Sequence, residues 1–307
     1  WSSDVCSSDL EYRKVSKICE GTYCSVYRGI KTDTQEDVTI KVFRLDQEED
    51  GIPSSELRGI CILRTRIHPN IIYMRDMILM KNKLSIIYDY MDCDLKRYLE
   101  NLKNPINEEL LRSYAFQLLC GTYFLHKTGV VHNNLKPEHL LINKAGLLKI
   151  CDFGSALLCN HTMPQVANNM SKLWYKAPEV ILDCQKYGME SDLWSCGCII
   201  AELARGSVLF NGDSPIDQIM KILNCLGTPS QNEFPEFHQH IDPRLTLPKE
   251  PSVTLEKMLP KNIDPLLFDL ISSLLQLNPE KRINARDALK HQYFKKLPQA
   301  LISICMR

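Results

Sequence analysis

The stretch from Val131 to Ile142, V-H-N-N-L-K-P-E-H-L-L-I, constrains the chain more than any other. It closes a helical pattern on one side and runs into a strand pattern on the other. Leu140–Ile142, then Asn143–Gly146, then Leu147–Ile150 read as strand, turn and strand, since Asn and Gly are residues that tight turns favour. Cys151-Asp152-Phe153-Gly154 follows directly.

This layout resembles the protein kinases, in which a catalytic loop precedes a metal-binding Asp-Phe-Gly. The family's loop carries His-Arg-Asp, then Lys two residues on, then Asn. Here Asn133 stands at the Arg position, Asn134 at the Asp position and His139 at the Asn position, whereas Lys136 is kept. The resemblance implies an α+β fold of two lobes, a small β-rich N-lobe over about 11–90 and a large, mainly helical C-lobe over about 91–297. Residues 298–307 form a tail. The opening Trp1–Leu10 fits no element and is set aside as a fusion or assembly scar.

The N-lobe motifs follow in the family's order. Ile18-Cys19-Glu20-Gly21-Thr22-Tyr23-Cys24-Ser25-Val26 resembles the glycine-rich loop that covers the phosphates, with only Gly21 surviving between Cys19 and Cys24. Glycines there let backbone N–H groups approach a phosphate without a Cβ in the way. Val38-Thr39-Ile40-Lys41 places Lys41 where the family's lysine holds the α- and β-phosphates. Pro53-Ser54-Ser55-Glu56-Leu57-Arg58-Gly59 resembles the cyclin-contacting helix of cyclin-dependent kinases. The glutamate that closes that motif and pairs with the lysine is replaced by Gly59, which removes a charge and about 1 kcal/mol of helix propensity relative to Ala. Glu56 lies three residues earlier, roughly 60° around a helix, and reaches Lys41 only if the helix is slid or rotated.

The remaining pocket residues also come from the resemblance. Tyr88 guards the back of the adenine site, backbone groups of Asp89 and Met91 bind the base, and Ile18, Val26 and Leu141 enclose it. Asp94 is either the ribose contact or the cap of the following helix. Asp152 holds Mg²⁺, with His139 at the second, degenerate metal position. Beyond Asp152, the segment to Ala177-Pro178-Glu179 matches a cyclin-dependent-kinase activation segment in length and carries Leu173-Trp174-Tyr175. Its phosphothreonine position is Ala167, and of the three-arginine cradle only Arg58 remains, the other positions being Asn133 and Leu157. Thr22 and Tyr23 match the family's inhibitory phosphorylation pair. Glu108–Lys127 reads as a core-facing helix, Asp192–Leu203 as a wholly apolar one, and Arg282 is placed to pair with Glu179.

Chemistry and composition bound the function. An amide at 134 cannot take a proton as a carboxylate does. A general base is worth about 10²–10⁴-fold, so a kinase turning over at about 1–100 per second would keep roughly 1 per second at best. Imidazole at 139 is a poor ligand for Mg²⁺, which prefers oxygen. The expectation is a cyclin-dependent-kinase-like Ser/Thr kinase domain that binds ATP, and Mg²⁺ weakly, with transfer impaired or absent. It would act as a partner-binding module through Pro53, Ser54, Ser55, Leu57 and Arg58 toward a cyclin-like protein, as a monomer or heterodimer. The alternative is a working enzyme resting on Lys41, Lys136 and Asp152, with Glu56 standing in for the missing glutamate. Thirty-seven basic and 37 acidic residues argue against nucleic acid or anionic membrane as partner, and no apolar run reaches about 20 residues. Thirteen cysteines, an odd number without a signal-peptide core, read as thiols of a reducing cytoplasm and/or nucleus.

Overall fold

The computed structural model describes residues 11–21, 24–44, 52–80, 83–102, 105–159, 173–184 and 188–306. Three strands open the chain, β1 (Tyr12–Glu20), β2 (Cys24–Lys31) and β3 (Asp37–Arg44), followed by helix α1 (Ser54–Arg64) and strands β4 (Met74–Met80) and β5 (Lys83–Asp89). The five strands form one antiparallel sheet in the order β1-β2-β3-β5-β4. Strand β3 shows how the sequence builds this lobe. Side chains alternate across a strand, so Val38, Ile40 and Val42 bury on one face with Tyr12 and Ile87. Lys41 and Phe43 fall on the other face, where Phe43 packs with Ile60 of α1, Leu84 and Ile86. Lys41 therefore points between sheet and helix, in register with Val26 on β2 and Ile86 on β5.

The second lobe is helical. After β6 (Cys93–Asp94) and α2 (Leu95–Glu100) comes α3 (Glu108–Lys127), whose bounds agree with the sequence reading. The Asn107 side chain caps α3 by accepting from the Leu110 N–H at 2.7 Å. Leu111, Tyr114, Ala115, Leu118, Leu119 and Leu125 are all buried. Short β7 (Val130–Val131) leads into the 131–142 loop, then β8 (Leu140–Ile142), β9 (Leu148–Ile150) and β10 (Leu157–Leu158). Between β8 and β9 the Asn143 side chain accepts from the N–H groups of Ala145 and Leu147, and Gly146 takes φ +79°, which a Cβ disfavours.

Helix α4 (Pro178–Ile181) precedes α5 (Met189–Arg205), which packs on α3 and on a later helix, Pro265–Leu274. Helix α5 is not wholly apolar as the sequence suggested. Ser191, Asp192, Ser195 and Glu202 are buried along it, and each has work to do. Tyr175 Oη donates to Glu202 at 2.6 Å, Ser195 Oγ donates to the Tyr175 carbonyl at 2.7 Å, and Ser191 Oγ donates to the Gly188 carbonyl at 2.7 Å. The expected Arg282–Glu179 pair is present at 2.8 Å, with both side chains sealed from solvent.

The tail set outside the domain folds back. Gln299–Cys305 is a helix that contacts α3, and Cys305 is buried. His68 accepts the Asn70 N–H on Nδ1 at 3.1 Å, so its Nε2 donates to the Cys305 carbonyl at 2.9 Å. Among the described residues every cysteine is a free thiol, and no helix is long and apolar enough to cross a membrane. Residues 1–10, Thr22, Tyr23 and Ala167 lie outside the described residues.

Candidate functional site

The 131–142 loop is held from below by one carboxylate. Asp192, 1% exposed, accepts from the backbone N–H of His132 and of Asn133, both at 2.8 Å, and faces His126 Nε2 at 3.0 Å. A buried carboxylate persists only when its lone pairs are filled in this way. Asn133 sits at φ +63°, a left-handed conformation that Asn tolerates better than most residues. His132 is fully buried. Its Nδ1 accepts from the Asn134 N–H at 3.3 Å, its Nε2 donates to the Cys151 carbonyl at 3.0 Å, and its ring meets Phe153 edge-on at 5.0 Å. Burial lowers its pKa below the ordinary histidine value, and the hydrogen-bond pattern is that of a neutral ring. His132 thus supports the loop from within the core.

A cavity of about 440 Å³ lies between the sheet and this loop. Ile18, Val26, Lys41, Asp89, Met91, Asp94, Leu141 and Asp152 line it together, as does His139. Gly21, Asn134 and Lys136 are not among its lining residues. Gly21 instead turns the chain, its N–H donating to the Cys24 carbonyl at 2.8 Å.

Two of the expected pocket residues also have partners within the fold. The Asp89 N–H donates to the Tyr73 carbonyl at 3.1 Å, and its carboxylate pairs with Arg75 at 2.8 Å and Lys149 at 3.2 Å. That amide is thus paired within the fold. Asp94 caps α2, its Oδ1 accepting from the Arg97 N–H at 2.9 Å, and the same residue lines the cavity.

Lys41 keeps a partner despite the glycine at 59. Its Nζ lies 2.8 and 2.9 Å from the two carboxylate oxygens of Glu56, with the side chains 22% and 28% exposed. Helix α1 is turned so that Gly59 presses against the backbone that follows Asp152. A Cβ at 59 would stand 3.2 Å from the carbonyl carbon of Phe153 and 3.4 Å from the Gly154 nitrogen. The missing side chain is what admits this approach. Burial pushes the Lys41 ammonium toward neutrality, but the charge of Glu56 and its hydrogen bonds outweigh that and raise its pKa. One residue before Gly59, Arg58 donates to the Gly154 carbonyl at 2.6 Å. Arg58 thus braces the backbone beside Asp152, while Asn133 is buried with its Nδ2 unpartnered among the described residues.

The sheet, the helix bearing the lysine's partner, the loop and the Asp-Phe-Gly turn occur in one order along the chain, and residues 12–294 match the family model of the protein kinase domain. The chain belongs to the protein kinase family. Kinase domains generally use ATP with Mg²⁺ held by the Asp-Phe-Gly aspartate and the loop's asparagine. In this kinase domain His139 stands at the position of that asparagine; its Nδ1 donates to the Asn134 carbonyl at 2.9 Å and its Nε2 lies 2.9 Å from Asp152 Oδ2. The other oxygen of Asp152 faces the Gly154 N–H at 3.4 Å. Burial alone would raise the Asp152 pKa, yet the hydrogen bond and charge of His139, with His132 and Lys41 behind, hold it well below the ordinary carboxylate range. Mg²⁺ requires near-octahedral oxygen ligands. A lone carboxylate already satisfied by N–H donors does not fit a pair of such ions. Among the described residues no group of three or more His, Cys, Asp or Glu side chains gathers to hold a metal.

Sequence reasoning missed Asp192 as the loop's anchor. The signal was present: a carboxylate inside a nearly apolar helix must be satisfied by something, and its partners lie some sixty residues upstream.

Proposed function

We propose that this kinase domain is of the cyclin-dependent type, that its cleft holds ATP, and that it transfers phosphate poorly or not at all. Its role on this reading is to bind a partner. Asn134 carries the reading: the loop is built and anchored, yet at the position that accepts or orients the substrate hydroxyl proton it presents an amide. The loss of a general base corresponds to about 3–5 kcal/mol of barrier. The Leu173-Trp174-Tyr175 and Gly212–Gln218 segments support the cyclin-dependent type by resemblance. The partner is a cyclin-like protein engaged by α1, where Ser54, Leu57 and Arg58 face solvent and Leu57 is 45% exposed. The domain would serve as a monomer or heterodimer in the cytoplasm and/or nucleus.

Transfer of radiolabelled phosphate from ATP, measured on the natural chain and on Asn134→Asp, tests the reading. Little or no transfer by the natural chain, with a gain on reversion, supports it. Transfer by the natural chain that disappears in Asp152→Ala refutes it. The Lys41–Glu56 pair favours the second reading, a slow working kinase, because the lysine is held as an active site needs it. Co-purification of a cyclin-like protein that is lost on Leu57→Asp tests the partner.

A further inference from the structure

Six cysteines are buried among the described residues, and two of them meet from distant parts of the chain. Cys120 of α3 and Cys305 of the Gln299–Cys305 helix are each 1% exposed, and their thiols hydrogen-bond to each other. Met306 Sδ lies 4.0 Å from Cys120 Sγ, so this helix is seated on α3 through sulfur. The Cys305 carbonyl accepts from His68 Nε2 at 2.9 Å, and the Asn70 side chain hydrogen-bonds the Cys305 thiol. Backbone and thiol of Cys305 are thus both held in place.

Buried thiols are ordinarily inert packing. Burial pushes the thiols of Cys184, Cys196, Cys198 and Cys225 up, as that predicts. Cys305 goes the other way: the hydrogen bond from Cys120, aided by that of Asn70, outweighs burial and lowers its pKa. Cys120, which gives that hydrogen bond, is raised. One thiol is therefore the readier thiolate and the other is aimed at it, the parts that thiol–disulfide chemistry needs. Access comes from the helix itself. Seven residues are too few to sustain a helix alone, so it opens without the core.

We propose that Cys120 and Cys305 are a redox pair, which hydrogen peroxide converts to a disulfide that fastens the Gln299–Cys305 helix to α3. The Cys305 thiolate attacks one peroxide oxygen and the O–O bond breaks. Cys305 becomes a sulfenic acid, and the departing hydroxide takes the thiol's proton and leaves as water. The Cys120 sulfur then attacks the sulfenic sulfur, the S–O bond breaks, and a second water leaves with the Cys120 proton. Two electrons have passed from the thiols to the peroxide. This holds whether or not the cleft binds nucleotide.

Brief treatment of the natural chain with hydrogen peroxide, alkylation of the remaining thiols and non-reducing tryptic mass spectrometry test it. Trypsin places Cys120 in 113–127 and Cys305 in 297–307, each the only cysteine of its peptide. The expected product is these two peptides joined, lighter by two hydrogens than their sum and separated by dithiothreitol. The oxidised chain should melt about 4–16 °C higher, the rise that an unstrained disulfide closing a long loop produces. Dithiothreitol should abolish that rise, and Cys305→Ser should show neither link nor rise. Recovery of both peptides alkylated, while the exposed Cys19, Cys61 and Cys159 are oxidised, overturns the inference. So does either cysteine linked to a different one, sulfinic acid at Cys305 without a link, or a link that leaves Tm unchanged or lower. The natural chain decides the matter even if the variant fails to fold.

Discussion

Replacing Glu56 by Gln keeps the shape of the side chain and removes the charge that faces Lys41. Both ionic hydrogen bonds are short, at 2.8 and 2.9 Å, and both side chains are less than a third exposed. Hydrogen bonds to charged groups contribute about 1.5–3 kcal/mol, and exposed ion pairs about 0–1 kcal/mol. A pair on the wall of a cleft falls between them, so Glu56→Gln should destabilise the domain by about 1–2 kcal/mol. At about 2–4 °C per kcal/mol this lowers Tm by about 2–8 °C in differential scanning fluorimetry. The pH dependence fixes the cause. Because the folded pKa of Lys41 is raised, the stabilisation is complete below the unfolded lysine value of about 10.4 and is lost as pH rises through the higher folded value. The Tm gap between natural chain and variant should therefore stay level up to about pH 10 and close above it. Moving the carboxylate back, as Glu56→Ala with Gly59→Glu, should not restore Tm, since the new Cβ presses on Phe153 backbone at 3.2 Å. An unchanged Tm in Glu56→Gln, or full recovery in the swapped variant, would refute the rotated-helix account.

Further outcomes follow from the buried charges. Arg282→Ala strands Glu179, 1% exposed, and should cost about 3–5 kcal/mol in urea denaturation, while Arg282→Met with Glu179→Leu should cost clearly less. Asp192→Ala leaves the His132 and Asn133 N–H groups without acceptors, at about 1–3 kcal/mol each, and should speed hydrogen exchange at those amides before the rest of α5 responds. Lys176 has its pKa lowered, first by burial and then by the nearby charge of Lys136, so its charged form opposes folding. Lys176→Met should raise Tm at pH 7, and the advantage should fade as pH rises through the unfolded lysine value, above which the natural side chain is neutral in the unfolded state as well.

How much of this was readable in the chain depended on whether a residue's role is set locally. The bounds of α3 were legible because Asn107 caps it and the buried positions recur with the helical period. The hairpin after the loop was legible because Asn143 and Gly146 have turn chemistry of their own. The azimuth of α1 was not. Spacing says that Glu56 and Gly59 are 60° apart, but which of them faces Lys41 depends on how near the helix lies to Phe153, a contact almost a hundred residues away. His139 was readable as a poor magnesium ligand, whereas its bond to Asp152 depends on the β8–β9 hairpin that returns the chain to its side. The cap made by Asp94 was legible for the same reason as that of Asn107, a short polar side chain one residue before a helix.

The docking of Gln299–Cys305 gives the chain's last turn mechanical reach. Through Cys305 it grips His68, and His68 follows within a few residues the end of the helix that carries Glu56. His68 also stacks on Phe124 of α3 at 4.7 Å, so the grip closes a clasp over both lobes. A purification tag hung behind this turn, or a cut made at Leu297, would tug on the lysine's partner from the far side of the molecule. Any handle for experiments on nucleotide affinity therefore belongs at the opposite terminus.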